Sequence, residues 1–396
     1  MTRCLWISRE IPFPADAGDR IYSASMARAL HEAGVQVRLL GFDGAAPPPA
    51  DWPVEVRGVP GERNTAWRAL VSSLPLAAAL HATPAYADLL TMQLREPWDF
   101  IVIDSYGSGW ALDACLQLRD AAQAKGQLAP VLVYLSHNHE ESLWRSLARE
   151  GASLLRRLML RQNYWKVRAL EQRLVREVHL VAAITAEDAD SYARQVADKR
   201  TVVLTPGYSG PVMPERDIVP ACPRRVLLIG SFRWVVKQEN LRRFLEIADA
   251  RFEQSGIECD VIGDVPRELL ERLQGRMHAT RFYGFLDDVK PFLASARMAV
   301  VPEFIGGGFK LKYLDYIFGR VPVATISAAA AGLPDGIRDN MLCRDDMGQL
   351  VDGIVETINQ TDKLDVMQKK AFEEARAHFQ WADRGRQFRQ ALEGAT

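Results

Sequence analysis

The sequence predicts an α/β protein built from two doubly wound halves. Three observations predict it. Short apolar runs alternate with amphipathic stretches along the whole chain, the pattern of parallel strands joined by helical crossovers. The alternation breaks once, between residues 206 and 223, where five prolines interrupt any periodicity. The chain has 396 residues, enough for two or three separate cores.

In order along the chain, strands are expected at residues 5–8, 35–40, 100–103, 131–136, 180–184 and 202–204. Each is rich in Val, Ile and Leu, as suits a strand buried on both faces. A second series follows at 225–229, 259–262, 280–283, 298–301 and 322–325. Residues 1–205 and 224–375 are therefore expected as the two halves, with 206–223 as a Pro-rich linker. Residues 364–392 read as helices. Ligands of such sheets sit at the carboxyl ends of the strands, here expected to be a central cleft that the two halves face.

Composition narrows the class. The net charge is −1, which argues against bulk nucleic-acid binding. The five cysteines, Cys4, Cys115, Cys222, Cys259 and Cys343, include no C-x-x-C pair, so neither a zinc site nor a disulfide framework is expected. A strand is expected from the first residues, so no signal peptide is expected, and no apolar run reaches the roughly 18–20 residues of a membrane span. A cytoplasmic location is expected.

Residues 301–323, VPEFIGGGFKLKYLDYIFGRVPV, are the most informative stretch. The end of an apolar strand is followed by Gly306, Gly307 and Gly308. A helical run with Lys310, Lys312 and Asp315 comes next, stopped by Gly319. Glycines let bare backbone N–H groups approach a ligand. Two lysines in a first helical turn oppose the usual preference for acids there, which points to a bound anion such as a phosphate. The stretch is neither a Walker loop nor G-x-G-x-x-G. A strand–loop–helix joint whose glycines only permit packing is the plainer alternative.

This stretch resembles the donor-binding segment of retaining GT-B glycosyltransferases, the large family 4. One branch reads roughly VP, three residues, GGG-T-[RK]-L-K-x-L-E-A-M-A-x-G-x-P-V. The match runs through Val301, Pro302, the three glycines, Lys310, Leu311, Lys312, Leu314, Asp315, Gly319, Pro322 and Val323. The resemblance implies two Rossmann-like domains, the donor in the second and the acceptor in the first. It implies that residues 376–396, opening on His378-Phe379-Gln380-Trp381, form a helix crossing back to the first domain. Lys310 and Lys312 would bind the donor diphosphate, and Asp315 the ribose hydroxyls. Many members carry a second acid eight residues before the ribose acid. Gly307 stands there, so the sugar contact would fall to loop N–H groups or Glu303.

Other segments extend the resemblance. Gly18-Asp19-Arg20 opens the first helix where members usually have two glycines. Gly18 would approach the diphosphate, and Asp19 would be partnered by Arg20 or an acceptor hydroxyl. Asp19 as a plain helix cap is the alternative. His137 follows the strand at 131–136 and matches a family histidine near the transferred sugar, with His139 in reserve. Its work there is hydrogen bonding and charge stabilisation at the anomeric carbon. A helix-capping histidine, or an H-x-H-E metal site, are the alternatives. Arg233 and Lys237 stand near the family's diphosphate-binding cations, although Ser231 replaces the arginine. Tyr283 and Phe285 belong to a loop that resembles the family's nucleobase loop. No metal is expected, because the lysines and the helix dipole do a cation's work. No cofactor is expected beside the nucleotide diphosphate sugar.

The expected activity is sugar transfer from a nucleotide diphosphate sugar to a glycan or lipid-linked acceptor, in cell-surface polysaccharide or glycoconjugate synthesis. A nucleotide-sugar epimerase, a phosphorylase or a non-catalytic nucleotide-binding relative are the other classes. Residues 144–176 carry nine Lys/Arg against two acids, Glu150 and Glu171, along with Leu154, Leu155, Leu158, Leu160, Tyr164 and Trp165. Such a helix can lie on an anionic membrane, which suits a lipid-linked acceptor. A solvated helix face is the plainer reading.

Overall fold

The computed structural model describes residues 2–149, 154–304 and 308–395. It divides into two units. The first is Met1–Gly207 with Gln380–Thr396, and the second is Tyr208–Phe379.

The sheet of the first unit contains β1 (Arg3–Glu10), β2 (Gln36–Phe42), β3 (Glu55–Val59), β4 (Phe100–Asp104), β5 (Val131–Ser136), β6 (Leu180–Ala183) and β7 (Arg200–Val203). Their order is β3-β2-β1-β4-β5-β6-β7, every pair parallel. The second sheet contains β8 (Arg225–Ile229), β9 (Glu258–Ile262), β10 (Thr280–Gly284), β11 (Met298–Val301), β12 (Val323–Ile326) and β13 (Leu342–Arg344). Their order is β10-β9-β8-β11-β12-β13, again all parallel. Each chain winds outward one way, returns to the middle and winds the other way. The reversal falls between β1 and β4 in the first unit and between β8 and β11 in the second. At such a switch point the loops beyond the strand ends diverge and leave a crevice.

The central strands are buried throughout: β4, β5, β6 and β11 expose no residue. Helices cover both faces. Helix Gly18–Glu32 buries Tyr22, Met26 and Leu30, one every turn. Helix Trp381–Glu393 packs on it, with Trp381 against Tyr22 at 5.9 Å and Phe388 edge-on to Trp6 at 6.1 Å. The second core gathers Phe244, Phe252, Tyr313, Tyr316 and Phe379. Full burial of one such side chain stabilises by about 1.5–3 kcal/mol.

Two strands were not expected, β3 and β13. Both are sheet edges. Residues 55–59, EVRGV, have one fully buried residue, and β13 is three residues long. The segment 206–223 also departs from its expected role. From Tyr208 onward it is ordered against the second unit: the Tyr208 ring stacks on Phe318 at 4.3 Å and Ile218 is buried. Arg216 donates to the carbonyls of Leu293, Ala294 and Ala296. Proline there removes periodicity without removing packing.

Candidate active site

In the second unit, β8 ends at Ile229 and β11 at Val301, side by side at the switch point. Glu303 follows β11 and is 8% exposed. Lys312 Nζ donates to its carboxylate at 2.6 Å. Burial pushes the Glu303 carboxyl up, but Lys312, Lys310 and Lys237 together hold it below the ordinary range. Lys312 thus holds the carboxylate by direct contact, and Lys310 and Lys237 act on it through space. A Cβ on Gly230, the residue after β8, would lie 3.3 Å from Lys312 Nζ, so the ammonium sits against bare backbone.

Packing fixes these cations. Helix Lys312–Phe318 is tied to the sheet by two tyrosines. Tyr316 Oη accepts from Ile229 N at 2.7 Å, and Tyr313 Oη pairs with Thr325 Oγ1 at 2.5 Å. Gly308 has φ 70°, a left-handed conformation that suits glycine, and its carbonyl accepts from Lys310 Nζ at 2.8 Å. Gly263 has φ 125°, and a Cβ there would lie 1.7 Å from the Gly230 carbonyl oxygen. The loops after β8 and β9 therefore touch through backbone alone. Asp315 faces Tyr208. Burial raises its carboxyl to about 6, against the pull of the Tyr208 hydroxyl and Lys312.

In the first unit the switch point carries a second charged constellation. Asp104 closes β4 and is almost fully buried. It accepts from Trp6 Nε1 at 2.9 Å and lies 2.7 Å from His137 Nε2. Burial pushes Asp104 up, but His137, Ser23 and Trp6 bring it below the ordinary carboxylate range. An ionised Asp104 accepts only, so His137 Nε2 carries the proton and Nδ1 is the ring's other polar atom. Tyr22 meets the His137 ring edge-on at 5.5 Å. Ser105, next to Asp104, has φ 65°, an uncommon conformation for a non-glycine residue at a strand end. Asp19 forms an ion pair with Arg9, which projects from the end of β1. Burial raises Asp19, while Arg9 and His137 outweigh it and lower it.

Behind this constellation lies a buried carboxylate pair. Glu171 accepts from Tyr192 Oη at 2.7 Å and from the backbone N–H groups of Glu141 and Glu140 at 2.7 and 3.0 Å. It caps helix Glu140–Arg149 from a distance of thirty residues in sequence. Burial and Glu171 together raise Glu140 to about 8.

The sequence matches two family models. Residues 18–207 match the glycosyl transferase 4-like domain, and residues 223–360 match glycosyl transferases group 1. Together they span most of the chain. The chain belongs to the GT-B glycosyltransferases. Solved structures agree on the fold. Sucrose-phosphate synthase from Thermosynechococcus elongatus matches at TM-score 0.68 and 16% identity, covering 100% of this chain and 99% of that one. WaaG, a glycosyltransferase involved in lipopolysaccharide biosynthesis, matches at 0.65 and 18%, covering 99% of each chain. HepE from Anabaena, in complex with UDP and glucose, matches at 0.65 and 15%, covering all of both chains. No curated protein sequence matches.

Against this glycosyltransferase fold, the expected site residues fall into three groups. Lys237, Lys310 and Lys312 gather at one switch point, and His137 and Asp19 at the other, with Gly18 opening the helix that carries Asp19. Gly306 and Gly307 lie outside the described residues. Arg233 and Asp19 differ from expectation. Arg233 is exposed, and its Nε donates to Asp264 at 2.7 Å, so it is not among the cations acting on Glu303. Asp19 is partnered by Arg9, while Arg20 pairs with Glu10 and Asp16 at 2.9 and 2.8 Å. The N-cap of that helix is Ala17, so Asp19 is no cap. The helix after the glycine loop begins at Lys312, leaving Lys310 just ahead of it. His139 is engaged elsewhere, with Ser142 and Gln195, each at 2.7 Å. The two histidines of H-x-H-E thus face different partners, and no metal-holding cluster occurs among the described residues. Tyr283 packs edge-on against Phe292 at 4.7 Å, and Phe285 is 74% exposed.

Asp104, Arg9 and Tyr208 were missed by sequence reasoning. A signal existed for the first two: a charged residue at the carboxyl end of each strand flanking the switch point.

Proposed function

We propose that this glycosyltransferase moves a sugar from a nucleoside diphosphate sugar to a glycan or lipid-linked acceptor, with retention at the anomeric carbon and without a metal. The observation that carries the reading is the cluster of Lys237, Lys310 and Lys312 on the single buried carboxylate of Glu303. These lysines bring positive charge to the place where a diphosphate would lie. Such charge-assisted contacts stabilise the leaving group as the bond from C1 to the diphosphate oxygen breaks. The acceptor oxygen bonds C1 on the same face and its proton passes to the departing phosphate. Asp315 accepts the ribose hydroxyls, and Tyr283 and Phe285 meet the base. His137, held by Asp104, aligns the sugar from the acceptor side. The same lysines supply the charge that a divalent cation would otherwise bring.

The complexes of HepE with UDP and with UDP-glucose make uridine the first base to test. Calorimetric titration with UDP, GDP, ADP and their sugars should give one nucleoside diphosphate that binds at micromolar strength or better. Release of that diphosphate on adding sugar donor and acceptor extract completes the test. Turnover of the donor without acceptor would instead indicate an epimerase. Absence of nucleotide binding would end the reading.

A further inference from the structure

We propose that the first unit docks on an anionic lipid bilayer through a face made by two helices, Ala66–Val71 and Leu154–Glu177. The face is apolar and basic together. On the short helix Trp67 and Val71 stand four residues apart and are each 73% exposed. On the long helix Leu158 and Trp165, seven residues apart, are 65% and 51% exposed, with Met159 beside them. The opposite side of the long helix is core: Tyr164, Val167, Leu170 and Leu174 are buried. The exposed aromatics are thus a sustained outer stripe. Soluble surfaces rarely leave so many large apolar side chains together.

One hydrogen bond joins the two helices, and a second ties the long helix to the segment that follows the short one. Lys166 Nζ donates to the Leu70 carbonyl at 2.9 Å, and Asn163 Oδ1 accepts from Leu76 N at 2.8 Å. The Arg168 guanidinium lies 5.3 Å over the Trp165 ring. Arg68, Arg157 and Arg161 are exposed on the same two helices. Neither residues 63–80 nor residues 154–170 contain a single Asp or Glu.

That charge pattern selects the occupant. A second copy pairing through this face about a two-fold axis would set Arg68 and Arg161 against themselves, with no acid in residues 63–80 or 154–170 to meet them. An apolar partner would offer no counter-charge to Arg68 and Arg161. An anionic bilayer takes both: indole rings settle at the headgroup level, and the arginines reach phosphate from the rim. The basic segment 144–176 noted in the sequence is narrowed by this geometry. Tyr164 is buried and Trp144 half-buried, and Trp67 and Val71, outside the segment, join the face.

The test is flotation of the full chain with vesicles of phosphatidylglycerol and phosphatidylcholine, beside vesicles of phosphatidylcholine alone. Binding is expected to the anionic vesicles at low ionic strength, fading as salt rises. Replacing Arg68, Arg157 and Arg161 with Gln should weaken it about a hundredfold, at roughly fivefold per cation. Trp67→Ser with Trp165→Ser should weaken it at least about tenfold. Both sets of residues are exposed, so melting temperatures should hold, and a variant that melts early is replaced by the single substitutions. No binding of wild type to anionic vesicles at low salt overturns the proposal. So does binding that neither variant changes. A concentration-dependent dimer broken by the tryptophan variant, with no vesicle binding, assigns the face to a second copy.

Discussion

Removing the Lys312 ammonium is the most direct perturbation, because two quantities should move for one reason. Lys312 and Glu303 are 13% and 9% exposed at the side chain, so water screens neither well. In Lys312→Ala the diphosphate loses one charge-assisted contact of about 1.5–3 kcal/mol, which weakens nucleotide binding by roughly ten- to a hundredfold. The fold loses the partner of a buried carboxylate. A wholly unpaired buried charge costs about 3–5 kcal/mol, but Lys310 and Lys237 still act on Glu303, so about 1–3 kcal/mol is expected. The pH dependence separates these effects. Glu303 is depressed in the folded wild type, so its stabilisation is present above the unfolded value near about 4.3 and is lost as pH falls through the folded one. In the variant burial dominates and the carboxyl moves up, so destabilisation is greatest at high pH. The melting gap between wild type and variant should therefore be wide near about pH 8 and narrow near about pH 5. Calorimetry with the diphosphate and thermal denaturation at both pH values measure it. Unchanged nucleotide affinity in both Lys312→Ala and Lys310→Ala would refute the phosphate site. A gap that ignores pH would refute the account of Glu303.

Three further outcomes are expected. His137→Ala should lower turnover about a hundredfold with little change in donor affinity, and Asp104→Asn should follow it less steeply, since Asn cannot hold Nε2 as an ionised acceptor does. Near-normal turnover in His137→Ala, measured by diphosphate release, removes His137 from the site. Asp315→Asn should erase discrimination between ribo- and deoxyribonucleotides in calorimetry, while wild type that binds both alike assigns Asp315 another task. Glu140 is raised to about 8, whereas an unfolded glutamate ionises near about 4.3, so its burial weakens the fold as pH rises between those values. Glu140→Gln should therefore gain melting temperature over wild type as pH climbs from about 5 to 8, and a gap that stays flat would place the proton elsewhere.

The fold was legible where burial on both faces leaves a continuous apolar run. Residues 131–136, 225–229 and 298–301 are strands to the residue. Edge strands β3 and β13 were not, because an edge buries too little to force an apolar sequence. Lys310 and Lys312 were legible because they share one local motif with the glycines. Asp104 was not, since its meaning depends on Trp6, 98 residues away, and on His137, 33 residues on. Asp19 was legible as a charge needing a partner, but the choice of Arg9 over Arg20 is made by the end of β1 meeting the start of helix Gly18–Glu32.

Both switch points hold their charges in ion pairs, and this has a chemical consequence. A cluster of three bare lysines would repel itself and raise the energy of the empty site. Glu303 holds Lys312 in place by a 2.6 Å ion pair and offsets part of the positive charge around it. An arriving diphosphate need not then attract mobile side chains from solvent, so less ordering entropy opposes binding. Asp104 does the same for His137, and Arg9 for Asp19. The arrangement is preorganised electrostatics of the kind that stabilises developing charge without rearrangement at the moment of reaction.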